Sequence, residues 1–210
     1  MAQVKKAHVK EAILNSALRL FQKKGYVATT TAQIAKAAKV SEANLYVYFN
    51  SKFDVLLALY EPWLRERIHR LEGKVENESD PRLRLKMILA TLWCELVDGD
   101  NGLTLNFYQA LSTTARNEGY RPDLLRWTEA RVGALVLLAI PESRRSELAD
   151  RGLAQMLMMV KVGLANRFYL NSINFDVDAL IDLMCDFIVG ETGDASLLHE
   201  PQKAIEARNR

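Results

Sequence analysis

Within seven residues Glu42, Ala43, Asn44, Val47 and Tyr48 offer a carboxylate, a carboxamide, a phenol and two apolar surfaces on what helical spacing makes one outward face. Such groups at the front of an exposed helix can bond to base edges, touch thymine methyls and hold phosphates in a DNA major groove. The opposite side carries Leu45 and Phe49, four residues apart, which give the helix an inner face, and Ser41 is its N-cap. Just upstream, Thr30 with Gln33 three residues later has capping-box spacing, and Ile34, Ala35 and Ala38 form a narrow apolar stripe suited to close packing. Val40 supplies a buried hydrophobe to the turn between the two. Two short helices and a tight turn, the second helix presenting its polar groups, have the grammar of a helix-turn-helix.

Bond-making chemistry finds no comparable grouping. His8, His69 and His199 fall in a basic arm, on a long helix and in the tail, and none has a metal partner at ligand spacing. Glu66 and His69 form an ExxH pair, but no second copy completes a di-iron bundle, and an exposed helix pair accounts for them. Asp98 and Asp100 imitate the start of a calcium loop, yet Gly102 replaces the third ligand and Gln109 stands where a closing glutamate belongs. Cys94 and Cys185 are far apart, so they read as reduced core thiols rather than a disulfide or zinc pair. No GxGxxG, P-loop or GxSxG turn occurs. The expectation is a protein with no catalytic residues, no metal and no cofactor.

The elements that must hold the reading unit are helical throughout. Val9, Ile13, Ala17, Leu20 and Phe21 recur at helical spacing up to Gly25, a C′ residue that ends the first helix. Its leading lysines are open to two readings, phosphate contact or a frayed tail. Ser51 caps a long fourth helix starting at Lys52, which Pro62 should bend or interrupt and Gly73 should end, leaving 74–81 as a loop. Leu83, Leu85, Ile88, Leu89, Leu92, Trp93 and Leu96 give the next helix a broad apolar face to about Val97. Further helices are expected from Leu103 to about Asn117, from a first turn holding Pro122 to Pro141, from Ser143 to Leu170, and from Asp176 to Val189. After Gly190 the periodicity fades.

Charge divides along the same line. The chain has 210 residues, 49% of them hydrophobic, with a net charge of +2. Residues 1–52 hold nine lysines and arginines against Glu11 and Glu42, a net +7 that leaves −5 for the rest. A basic lobe on a mildly acidic body suits a nucleic-acid reader. The longest apolar run, Ala134 to Ile140, is too short to cross a bilayer, and no secretory h-region follows the first lysines, so a cytoplasmic protein is expected. The expected fold is all-α: an N-terminal helix-turn-helix DNA-binding lobe over 1–52, a helical ligand-binding and dimerisation domain over 53–190, and a tail over 191–210.

The stretch from AILNSALRLFQKKGY through GYVATTTAQIAKAAKVSEANLYVYFNSKFDVLLALYE resembles the DNA-binding signature of TetR-type transcriptional regulators over about the first quarter of the chain. Lys39 stands where that family usually has a turn glycine and Ala43 where a glycine commonly opens the recognition helix, so Lys39 must accept an unfavourable backbone at about 1 kcal/mol or the turn differs. The resemblance implies that Thr30, Tyr46, Tyr48 and Lys52 touch phosphate, while Glu42, Ala43, Asn44 and Val47, behind the Ser41 cap, select bases. It also implies a homodimer through a four-helix bundle of the last two long helices, a near-palindromic operator, and a small-molecule effector in a cavity among helices 4 to 8. Trp93, Phe107, Tyr108, Trp127, Met156 and Met159 are the pocket candidates, pointing to a lipophilic or aromatic ligand. The competing expectation is a DNA binder of this type that recruits a protein partner and needs no small ligand.

Overall fold

Apolar residues at helical spacing run through most of this chain, and helices with turns are what it forms. The computed structural model describes residues 2–98, 102–113, 122–148, 152–170 and 174–190, with no strand among the described residues. Helix α1 (Ala2–Ala28) buries Ile13, Ala17 and Phe21 and kinks at Gly25, whose φ of +77° and ψ of 167° only glycine adopts easily. Beyond the kink Tyr26 turns inward and packs on Phe21 with ring centroids 5.8 Å apart. Helices α2 (Thr31–Ala37) and α3 (Glu42–Tyr46) follow, and Ile34, Ala35, Leu45 and Phe49 are all buried against α1 and α4.

Helix α4 (Lys52–Glu76) joins this lobe to the body. Pro62 lies inside it without interrupting it, and Gly73 lies inside rather than at its end. The reason is the inner stripe of Tyr60, Leu64, Ile68, Leu71 and Val75, buried along the whole length, while Pro62 and Gly73 fall on the solvent side. The boundary expected at residue 52 therefore cuts the first residue of a shared helix.

The body is built around α5 (Pro81–Ala90), which continues through a π-helical segment (Thr91–Glu95) into the short α6 (Leu96–Asp98). Around it stand α7 (Leu103–Thr113), α8 (Asp123–Ala139), α9 (Glu142–Leu148), α10 (Leu153–Tyr169) and α11 (Val177–Val189). Pro122 takes the N-cap position of α8 rather than its first turn. The single helix expected from Ser143 to Leu170 is two, since Gly152 adopts φ +69° before α10 begins. The last two helices do not chiefly pair with each other: α11 lies along α5, and α10 along α8, α7 and the π segment. Residues 99–101, 114–117 of the helix expected from Leu103, and the tail over 191–210 lie outside the described residues.

Candidate nucleic-acid interface

The reading unit is set by short side-chain caps. Thr30 Oγ1 accepts from Gln33 N at 3.2 Å while Gln33 Oε1 accepts from Thr30 N at 3.4 Å, completing the capping box at the start of α2. Ser41 Oγ accepts from Asn44 N at 3.1 Å and starts α3. Ser51 Oγ accepts from Asp54 N at 3.0 Å and starts α4, and Asp54 Oδ2 accepts from Asn50 N at 3.1 Å. Lys39 takes the left-handed backbone, φ +58°, that its place in the turn demands.

With Leu45 and Phe49 pinned inside, Ala43, Tyr46 and Val47 stand exposed and Asn44 is half-exposed. Val47, at 72% exposure, is a bare apolar side chain on the outward face, available for a thymine methyl. Tyr48 is half-buried and leans on the core. Glu42 is engaged: Thr31 Oγ1 donates to its Oε1 at 2.5 Å and lies 3.3 Å from the Tyr46 hydroxyl. Thr31 thus ties α2 to both ends of α3, a role sequence reasoning missed. Three consecutive threonines hold three different positions, since Thr29 Oγ1 donates to Gly25 O at 2.8 Å, Thr30 caps α2 and Thr31 bridges the helices.

Lys52 is bonded within the lobe. Its Nζ donates to Tyr26 O and Thr29 O, both at 2.7 Å, and sits 4.0 Å from the Tyr26 ring centre. The ammonium expected on a phosphate thus also donates to two backbone carbonyls past the kink of α1. Between the starts of α2 and α4, Val27, Thr29, Thr30, Thr31, Tyr46, Asn50, Ser51 and Lys52 frame an open hollow of about 390 Å³. Hydroxyls and the leading amides of α4 give that hollow the chemistry to hold an anion such as a backbone phosphate.

The six pocket candidates are not brought together. Trp93 is buried in the π segment and donates its indole N–H to Leu157 O at 3.1 Å. Phe107 is fully buried, stacked 4.4 Å from Tyr60 and 6.3 Å from Phe53, with Tyr108 edge-on at 5.8 Å. Trp127 lies on the seam between α4 and α8, with the Arg65 guanidinium 4.2 Å from its ring centre. Met156 and Met159 are exposed on the outer face of α10. A trench of about 540 Å³ between α8 and α10, walled by Val136, Leu137, Leu148 and Leu153 with Arg126 and Gln155 among its polar groups, includes none of the six. Sequence reasoning also missed Lys161, buried on α10; it shares the stripe of Leu157 and Leu164, a spacing that could have revealed it. The ExxH pair is not a pair, because Glu66 holds Arg70 at 2.7 Å and His69 Nδ1 lies 2.9 Å from Glu72.

Among the described residues no group of three or more His, Cys, Asp or Glu side chains is placed to hold a metal, and no helix is long and apolar enough to cross a membrane. Residues 13–59 match the model of the bacterial regulatory proteins of the tetR family. The fatty acid metabolism regulator protein of Bacillus subtilis is 26% identical over 93 residues, 44% of this chain and 47% of that protein. The HTH-type transcriptional regulator HbdR of an Aromatoleum species is 32% identical over 100 residues, 47% of this chain and 42% of that protein. The chain thus spans about half the length of these curated relatives. The transcriptional regulator FadR from Bacillus subtilis, solved in complex with stearoyl-CoA, superposes with a TM-score of 0.58 at 19% identity, covering 86% of this chain and 98% of that one. Residues 13–59 thus carry the DNA-binding unit of the tetR family, on a helical body with the fold of a solved TetR family regulator from Marinobacter aquaeolei.

Proposed function

We propose that this chain is a homodimeric transcriptional regulator that binds a near-palindromic operator in double-stranded DNA, a repressor released by a small lipophilic or aromatic ligand. The observation that carries the reading is α3, capped by Ser41, pinned by Leu45, and presenting Ala43, Asn44, Tyr46 and Val47 beside a hydroxyl-lined hollow. Helix α3 is five residues long and reaches too few base pairs for useful selectivity, so a second copy is required. Exposed Met156 and Met159 on α10 with Leu183 and Phe187 on α11 supply apolar surface for that copy. The trench between α8 and α10 falls in the volume range of small-ligand sites, and a relative solved with stearoyl-CoA supports a lipophilic effector. No reaction enters the proposal, and the place of action is the cytoplasm, where operator DNA lies. A second reading, recruitment of a protein partner without a ligand, is favoured by the closed packing of Trp93 and Phe107.

Genomic footprinting tests the DNA half: protection of two-fold symmetric sites is expected, and protection without symmetry or without sequence preference would overturn it. Calorimetric titration of acyl and aromatic compounds, with and without the footprinted duplex, tests the ligand half. Coupling of about 1–3 kcal/mol between the two is expected, and equal ligand affinity in both titrations would leave the partner-recruiting reading ahead.

A further inference from the structure

Helix α4 leaves the reading unit and enters the body, and polar contacts hold its second half on two sides. Toward α8, Glu72 accepts from Arg131 Nε through one oxygen and lies 2.9 Å from His69 Nδ1 through the other, with its side chain only 13% exposed. Two turns earlier Arg65, itself bonded to Glu61 at 2.8 Å, lies 4.2 Å from the centre of the Trp127 ring, and His69 meets that ring edge-on at 6.0 Å. Toward the π segment the contacts are looser, Glu95 standing 3.9 Å from both Arg67 and Lys74. The short, shielded side is thus the one facing α8. Helix α8 in turn packs on α10, whose outer face carries Met156 and Met159, so it stands between the face assigned to a second copy and the arm that carries the reading unit.

Lever length makes this seam consequential. From Glu72 back to Lys52 an α-helix spans about 30 Å, so a tilt of about 6° at the seam moves the reading end by about 3 Å. That is close to the rise of about 3.4 Å for one base pair. We propose that Glu72, Trp127 and Arg131 are positioning residues that set the pitch of α4 and thereby choose the spacing between the two half-sites that the dimer accepts. The inference rests on the dimeric reading above. It assigns to body residues far from DNA a share of operator choice that base contacts do not supply, with Glu72–Arg131 fixing the angle and Trp127 bearing on Arg65 and His69.

The test is selection from a pool of random duplexes by the full chain and by Glu72→Arg, Arg131→Glu, the double exchange and Trp127→Leu, with a thermal melt of each. The variants should enrich the wild-type half-site sequence at an altered or broadened spacing, and the single exchanges should bind the wild-type-selected duplex about fivefold more weakly. The double exchange should bring spacing and affinity back to within about twofold, as expected of a direct pair in a mutant cycle. Unchanged spacing in folded single exchanges, or in Trp127→Leu should those exchanges melt early, overturns the proposal. So does a double exchange that melts like the wild type without regaining its spacing. Failure of the dimeric reading looks different, because the wild type itself would then enrich no paired half-sites.

Discussion

The reading lobe and the body are held together in opposite ways. In the lobe, the helix ends are set by contacts three or four residues apart, Thr30 with Gln33, Ser41 with Asn44, Ser51 with Asp54, and Thr29 with Gly25, with Thr31 and Lys52 adding the longer ties. In the body it comes from pairs far apart in sequence, such as Arg82 Nη1 with Asp186 at 2.6 Å, Lys86 with Asp182 at 2.9 Å, and Arg144 Nη1 with Phe187 O at 2.6 Å. A unit built from local caps keeps its shape while the residues proposed to read bases change, since none of Ala43, Asn44 or Val47 supplies a cap through its side chain. A body built from long-range pairs transmits displacement, because each pair joins two helices.

The sharpest way to break the contrast is Phe107→Ala, since that ring stacks on Tyr60 and Phe53 of α4 and leaves a cavity where lobe and body meet. A loss of about 3–5 kcal/mol is expected in denaturant unfolding, affecting both regions together. If the lobe then unfolds separately, the two are less coupled than their shared core indicates. Next is Lys52→Ala, which removes two charge-assisted bonds from a partly shielded ammonium. A loss of about 1–2 kcal/mol is expected, read as earlier hydrogen exchange around Tyr26 and Thr29. Should the main effect instead be a salt slope of DNA binding reduced by about one with stability unchanged, phosphate is the true partner.

Lys39→Gly should stabilise the lobe by up to about 1 kcal/mol, because glycine accepts φ +58° without a Cβ clash. A lower melting temperature would mean that the lysine stem contributes packing. The smallest effect concerns acid. The Arg131 hydrogen bond, partly opposed by burial, holds the Glu72 carboxyl below the usual carboxylate range. Its contribution is therefore present above that range and fades as pH falls through the lowered value. Wild type and Glu72→Gln should differ in stability near neutrality and converge in acid, and a gap that stays constant would show that the charge is immaterial.

Much of the lobe was legible because its instructions are local. Thr30, Gln33, Ser41 and Ser51 announce helix starts by type and spacing alone, and Lys39 in place of a turn glycine left two shapes open for the turn, of which the positive φ is the one found. The internal bonds of Lys52 were not legible for a physical reason: nothing in its neighbours reveals that the kink at Gly25 returns Tyr26 O and Thr29 O to within reach. In the body, periodicity found the helices but not their limits. Gly73 and Pro62 carry helix-breaking chemistry that a buried stripe overrides, whereas Gly152, within one long helical pattern, does break it. The pocket candidates were chosen for being aromatic or soft, which does not tell a stacked core ring such as Phe107 from an exposed side chain such as Met159.

The two hydrogen bonds that Lys52 Nζ donates to Tyr26 O and Thr29 O bear on how this protein could be recombined. A natural or engineered exchange of reading units that cuts before α4 would leave Tyr26 O and Thr29 O of the donor lobe without their shared donor. One that cuts just after it would strand Phe53 and Tyr60 without the ring they stack on. The portable module is thus larger than the reading unit: it extends two or more turns into α4 and must meet, in any recipient, an aromatic side chain at the place of Phe107.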